Sequence, residues 1–343
     1  MLYFFTKKYQ NFSLFTLIIF LLVILFGSFF LLEFKKFDKE FTQFSLAQIS
    51  TPFEKETKPT TLIFVGDIML DRGVEWQVNK YGQGDWKFPF MKIADDLKRA
   101  DILSGNLEGP ISDKGRKVGS IYSFRADPKA IEGLNYAGFD VLSVANNHIF
   151  DYSEEAMEDN FSRLKEAGID YVGGGFNEKE AHSPVIKEVN GLKIGFLAYT
   201  NLGSEHWIAN QERSGITRLT KEILERDIKE AKKETDLVVV SFHFGDEYQS
   251  KSNSTQNFWA HLAIDSGADL VIGHHPHVTQ EIEEYKDKYI AYSLGNFVFD
   301  QSFSKETMQG LLLKVIVKNA KIKEVAPINI QINKFFQPEI IKN

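Results

Sequence analysis

Cysteine is absent from the 343-residue chain. That excludes disulfides, thiolate catalysis, zinc–cysteine sites, iron–sulfur clusters and a lipidated N-terminal cysteine. Positive charge is in deficit, with 40 Lys+Arg against 47 Asp+Glu and a formal net charge of −7. This argues against a nucleic-acid partner gripped by a broad basic surface. The chain also lacks a Pro- or Gly-rich internal linker and any internal repeat. What is there is ordinary for a folded protein: 25% charged and 43% hydrophobic residues. Histidine is the exception to that plainness, because three of the eight fall between His274 and His277.

There is one long apolar run. Ser13 to Leu32 reads SLFTLIIFLLVILFGSFFLL without a charge. At about 1.5 Å per helical residue it spans roughly 30 Å, the thickness of a bilayer core. It exceeds a signal-peptide core, and the nearest small-x-small site, Ser45-Leu46-Ala47, lies well beyond Leu32. The expectation is an uncleaved single-pass anchor in the cell membrane. Lys7 and Lys8 precede it and Lys35, Lys36 and Lys39 follow it, so flanking charge does not set the orientation. Residues 1–12 are assigned to the cytoplasm, 13–32 to the span, 33–59 to a tether of little periodicity, 60–333 to one domain and 334–343 to a tail.

Within 60–333 strands and helices alternate. Short apolar strands are expected at Thr61–Val65, Asp101–Ser104, Asp140–Ala145, Leu237–Phe242, Asp269–Ile272 and Tyr289–Leu294. Helical spacing marks Phe90–Ala100, Pro128–Ala137, Ser153–Ala167, Lys221–Glu234 and Asn257–Ser266. Alternation of this kind predicts α/β layers. Asn190-Gly191, between Val185–Val189 and Leu192–Tyr199, is a strong hairpin signal, and Asn319-Ala320 marks a second. The sheets are therefore expected to be mixed.

Polar residues gather where these strands end: Gly66-Asp67, Gly105-Asn106-Leu107-Glu108, Asn146-Asn147-His148, His243-Phe244-Gly245 and Gly273-His274-His275-Pro276-His277. Ligands of α/β sheets bind at the carboxyl ends of strands. Asp, Glu, Asn and neutral His suit a divalent cation such as Zn, Mn or Fe. Any one segment alone reads as a turn or a cap. In an extended segment His275 and His277 would point the same way and His274 the other. Arg72 reads equally as an anion-binding residue or one half of a surface ion pair. Glu247 and Tyr248 read as cleft lining or as groups orienting His243. Asn296 and Asp300 read at least as well as turn formers. His182, His206 and His261 read as surface or satisfied structural residues, and Gly173-Gly174-Gly175 as a plain turn because no Lys-Ser/Thr follows.

Gly66-Asp67-Ile68-Met69-Leu70-Asp71-Arg72, Asn106-Leu107-Glu108-Gly109-Pro110, Ala145-Asn146-Asn147-His148, His243-Phe244-Gly245-Asp246-Glu247-Tyr248, Gly273-His274-His275-Pro276-His277-Val278 and Tyr292-Ser293-Leu294-Gly295-Asn296-Phe297-Val298-Phe299-Asp300 occur in this order. Across roughly residues 60–305 the chain resembles the CapA family of poly-γ-glutamate capsule-synthesis proteins, which sits with the calcineurin-like metallophosphoesterases. The resemblance implies a four-layer α/β/β/α sandwich holding one or two divalent ions where its sheets meet. It implies Asp67, Asn147, His243, His275 and His277 as metal ligands, with Asp67 shared between the ions. Asp67 and His148 are the implied catalytic pair, His148 acting as general acid rather than ligand. Arg72, Asn106, Asn146, Glu247, Tyr248 and Asn296 are taken as substrate-binding or supporting residues around them.

Two positions depart from the general phosphoesterase pattern. Met69 stands where it has a ligand His, and a thioether is a poor ligand for a hard dication. Where it has a second bridging Asp, the chain offers Asn106 and Glu108, and Glu108 is taken as the replacement because Asn106 brings no charge. The resemblance implies an extracytoplasmic hydrolase-like domain acting on poly-γ-glutamate or its precursor, beside other membrane capsule-synthesis subunits. A non-catalytic, metal-stabilised scaffold or polymer-binding subunit is the alternative from another class. A general phosphomonoesterase or phosphodiesterase is the third, and Met69 disfavours it.

Overall fold

The apolar run lies inside one long helix, Tyr3–Ile49, in a computed structural model that describes residues 3–49, 58–118 and 120–341. Its Phe15–Gln43 portion is long and apolar enough to cross a membrane, the one such helix among the described residues. Residues 33–49, expected as an irregular tether, continue this helix. No proline occurs before Pro52, and the Lys, Glu, Phe and Leu of this stretch are compatible with a helix. Met1–Glu56 and Thr57–Asn343 form separate compact units.

In the second unit, strand residues alternate between two buried environments. Leu62 and Phe64 face a core shared with Ile194, Phe196, Val239, Leu270 and Ile272 of another sheet. Ile63 and Val65 face the opposite way, onto Val74, Val78, Leu134, Met157 and Phe161. A strand buried on both faces reads as a continuous apolar run, and each such side chain contributes about 1.5–3 kcal/mol of burial. The second sheet does the same with Val238, Val240 and Phe242 against Leu224, Ile228, Ala260 and Ala263. The result is helix, sheet, sheet, helix: the α/β/β/α sandwich expected above.

The first sheet orders Pro338–Ile340, Lys321–Ile332, Gln309–Lys318, Thr60–Ile68, Ile102–Leu107, Val141–Ser143 and Asp170–Val172, and Asn296–Val298 also pairs with Thr60–Ile68. The second orders Ile282–Tyr285, Lys288–Ala291, Leu270–His274, Leu237–His243, Leu192–Thr200 and Val185–Val189. Both expected hairpins are present as antiparallel pairs. Residues 338–340, expected within a tail, form an edge strand instead. Gly174–Gly175, expected as a turn, pairs with Gly215–Ile216 in a two-stranded sheet.

The helices over the second sheet begin where the sequence caps them. Thr220 accepts from the Ile223 N–H, and Asn253 with Gln256 closes a capping box on the helix that Gly267 ends. The expected helix Phe90–Ala100 is instead a 3-10 turn, Phe88–Phe90, and a single helical turn, Ala94–Leu97. Ile93, at φ −131°, leaves helical geometry between them.

Candidate metal centre

Sheet register builds the site. Asp67 lies opposite Asn106 on one neighbouring strand and opposite Asn296 on the other, beside register shifts that mark local irregularity. In the second sheet His243 lies opposite His274. Two glycines permit the close approach this requires. A Cβ on Gly66 would fall 1.8 Å from the Gly295 carbonyl oxygen, and one on Gly273 would fall 1.9 Å from that of Tyr292. Each glycine precedes a residue of the cluster, Asp67 or His274.

Asp67, Glu108 and His277 converge, all buried. His277 Nδ1 is 3.3 Å from Asp67 Oδ2, and His277 Nε2 is 3.5 Å from Glu108 Oε1. Burial pushes Asp67 up, but the His274 and His277 contacts outweigh it and hold the carboxyl well below its usual range. Burial, only partly offset by His277, pushes Glu108 well above its own. Burial also lowers His277, yet Glu108 and Asp67 outweigh it and raise the imidazole to about 9. Burial and the neighbouring His277 push His275 down to about 3. Burial, then His275, likewise lowers His243.

These groups fit a dication. Glu108 Oε1 and His275 Nδ1 are buried without a hydrogen-bond partner. An unpartnered buried carboxylate oxygen is costly unless a cation or donor meets it. Asp67, Glu108 and His277 offer donor atoms within 4.8 Å of one another, a donor set of the kind divalent metals take.

Around this centre, Asn106 donates from Nδ2 to Asp67 Oδ1 at 2.8 Å, and Asn146 donates to the Leu107 carbonyl at 2.8 Å. His243 Nε2 is 2.6 Å from Asn147 Oδ1, and the His243 and His275 rings are 4.8 Å apart. His148 Nε2 is 3.7 Å from Glu108 Oε1. Its other nitrogen pairs with Asp151, and its ring stacks on Phe124 at 4.1 Å. A cleft of about 620 Å³ opens here, lined by Arg72, Phe124, Asn147, His148, Tyr248 and His277 among others.

Several expectations about individual residues change. His275 and His277 have φ of +96° and +58°, so their segment is not extended. They reach the site through a turn, and the extended-segment alternation does not apply. His274 therefore does not point away: it is buried with Nδ1 3.4 Å from Asp67 Oδ1, on the same side as its register partner His243. Arg72 forms an ion pair with Asp300 at the cleft wall and lies 4.5 Å over the Phe124 ring, so its charge is already met. Asn296 is no mere turn former, since its Oδ1 lies 3.0 Å from His277 Nδ1. The exposed Glu247 places a carboxylate oxygen within 4.8 Å of His275 and His277 nitrogens.

The sequence reading missed Asp151, Phe124 and His274. Asp151 stands three residues after His148, a spacing that could have been read as a partner. Phe124 comes from a distant loop and leaves no local signal. Elsewhere, a hollow of about 570 Å³ is lined by His182, Arg226 and Asp227. Both His182 nitrogens are engaged there, by Asp227 and by the Arg218 N–H. His261 pairs with Glu283. These match their structural reading.

Residues 61–301 match the family model described as bacterial capsule synthesis protein PGA_cap. The capsule biosynthesis protein CapA of Bacillus anthracis is 37% identical over 286 residues, covering 81% of this chain and 69% of that protein. The PGA biosynthesis protein CapA of Bacillus subtilis is 34% identical over 271 residues, covering 78% and 70%. Among solved structures, a hypothetical protein from Thermus thermophilus aligns with a TM-score of 0.50 at 15% identity, over 79% of this chain and 98% of that one. That last likeness is one of fold.

Proposed function

Because the chain belongs to the bacterial capsule synthesis protein family, we propose that it is a membrane-anchored, metal-dependent hydrolase-like protein in the synthesis or export of an anionic capsule polymer. The polymer is poly-γ-glutamate or its precursor, and the working partners are other membrane subunits of the same machinery. The observation that carries the metal-dependent part is the buried Glu108 Oε1, which makes no hydrogen bond beside Asp67 and His277.

Asp67, Glu108 and His277 would hold one ion, and Asn147, His243 and His275 would serve a second. Mn, Zn or Fe suits such O and N donors. A dication bound there supplies Lewis-acid polarisation and lowers the pKa of water. The chain's own residues do the rest. His148 presents Nε2 to the cleft, with Nδ1 engaged by Asp151, so it is placed to move a proton at the scissile linkage. Phe124 covers its ring, and Asp300 holds Arg72 against that same Phe124. Asn106 steadies the Asp67 carboxylate.

A scaffold reading has one observation in its favour. Met69 is fully buried and its sulfur accepts the Asp71 N–H at 3.1 Å, so the position offers no free donor. The two readings separate on purified full chain in detergent, loaded with Mn2+ and incubated with poly-γ-glutamate. New free amino ends that vanish in His148→Asn support the hydrolase. Retained metal with no new ends, and normal capsule output from His148→Asn cells, supports the scaffold. Topology has its own test, made easy by the absence of native thiols. Glu212, an exposed residue, changed to Cys should react with an impermeant maleimide on intact cells; labelling only after lysis would place the domain inside.

A further inference from the structure

Glu247 read from the sequence as cleft lining or as a group orienting His243, yet its carboxylate lies against two imidazoles of the centre. Met69 removes a nitrogen ligand, and its sulfur is turned to the Asp71 N–H. Glu247 brings an oxygen within 4.8 Å of His275 and His277 nitrogens. His277 is common to this trio and to the Asp67–Glu108–His277 trio. Asn296 Oδ1 and Asp67 Oδ2 lie on the Nδ1 side of His277, and its Nε2 faces Glu108. His275 is 6% exposed and its Nδ1 has no partner.

The backbone holds Glu247 in place. Gly245 turns at φ +98°, where a Cβ would meet the Gln256 amide at 2.5 Å. Tyr248, next in the chain, adopts φ +62°, and its N–H donates to the Pro276 carbonyl at 2.8 Å. A non-glycine residue at positive φ is held there by its surroundings. That hydrogen bond ties the Glu247 segment to the His275-Pro276-His277 segment. Gln301 adds a further tie through the Tyr248 hydroxyl at 3.2 Å.

We propose that Glu247 is a direct metal ligand alongside His275 and His277, a carboxylate donor in a centre to which Met69 gives none. The inference rests on the metal reading of the site. Exchange of an imidazole for a carboxylate makes the donor set harder and favours Mn2+ over Zn2+ relative to a histidine-richer site.

The test uses full chain in detergent, stripped with EDTA and titrated calorimetrically with MnCl2 and ZnCl2, with folding checked by circular dichroism. Glu247 is exposed, so Glu247→Gln should fold normally. It should bind Mn2+ at least about ten-fold more weakly, a loss that even an outer partner of a metal ligand causes. Glu247→His should restore binding and shift the preference toward Zn2+, which a merely outer carboxylate would not do. Equal Mn2+ affinity in Glu247→Gln and wild type, while His277→Ala is weakened, overturns the role of Glu247 and leaves the metal centre standing. A wild-type chain that binds neither ion overturns both.

Discussion

His148 Nδ1 lies 2.7 Å from Asp151 Oδ2, and the same oxygen accepts the Phe124 N–H at 2.8 Å. One carboxylate oxygen thus fixes both the imidazole and the ring stacked over it. Asp151→Asn weakens both contacts and should destabilise the fold by about 1–3 kcal/mol. It should also lower capsule output, though less than His148→Asn, with metal content unchanged in both. Urea unfolding, polymer assay and elemental analysis read the three quantities. A stability loss with full polymer output would make Asp151 purely structural.

Glu108→Gln should act with opposite sign in two states. Without metal, burial disfavours the Glu108 carboxylate, so a neutral amide of the same shape is tolerated or stabilising. With metal, the substitution removes a charged donor, and thermal stability should fall together with metal content. Melting curves of EDTA-treated and Mn2+-loaded protein should cross between wild type and variant. Parallel shifts of one sign would separate Glu108 from metal binding.

The imidazole of His277 provides the pH dependence. In the metal-free protein it is raised from 6.5 to about 9. Its contribution is therefore fully present below pH 6.5 and is lost as pH rises through 9. EDTA-treated wild type should lose stability relative to His277→Asn across that window. A bound metal competes with the proton, so metal affinity should rise over the same range. Urea titrations at pH 6, 7.5 and 9 measure the first effect, and a pH-independent difference between the two proteins would contradict it.

Met69→His should not repair the general phosphoesterase pattern. Met69 is packed in the core with Val74, Phe297 and Phe299 and has its sulfur engaged. A ring there buries polar nitrogens, at about 1–3 kcal/mol on protein-based scales. The expected outcome is a less stable protein with unimproved Mn2+ affinity. Tighter binding would show that the ring reaches the ions after all.

The strand-end acids and histidines were legible because a polar residue after an apolar strand is a local signal. That signal marked the segments holding Asp67, Glu108, Asn147, His243, His275 and His277, while the choice of ligands within them came from the family resemblance. What the chain did not disclose is set by neighbours far away in sequence. His274 turns inward because it pairs in register with His243, and register is a property of two strands. Arg72 is neutralised by Asp300, 228 residues later, and no local pattern predicts that partner. The positive φ at His275 and His277 runs against what a non-glycine residue prefers, so an extended reading was natural. The helix lost around Ile93 failed for a similar reason, its apolar spacing being satisfied by a turn and a short helix in the same layer.

The close approach at Gly66 has a consequence for the order of events in making the protein. Asp67 is synthesised early, while the backbone N–H of His275, which it accepts, comes 208 residues later. The carbonyl against which Gly66 packs belongs to Gly295, later still. Contacts of such long sequence separation form late and slowly. A nascent chain or a C-terminally shortened product therefore has acids and histidines but no place where they meet. On the proposed metal reading, uptake would act as a completion signal: an ion retained through gel filtration would report that both sheets have closed, and ribosome-released fragments ending before about residue 300 should carry none.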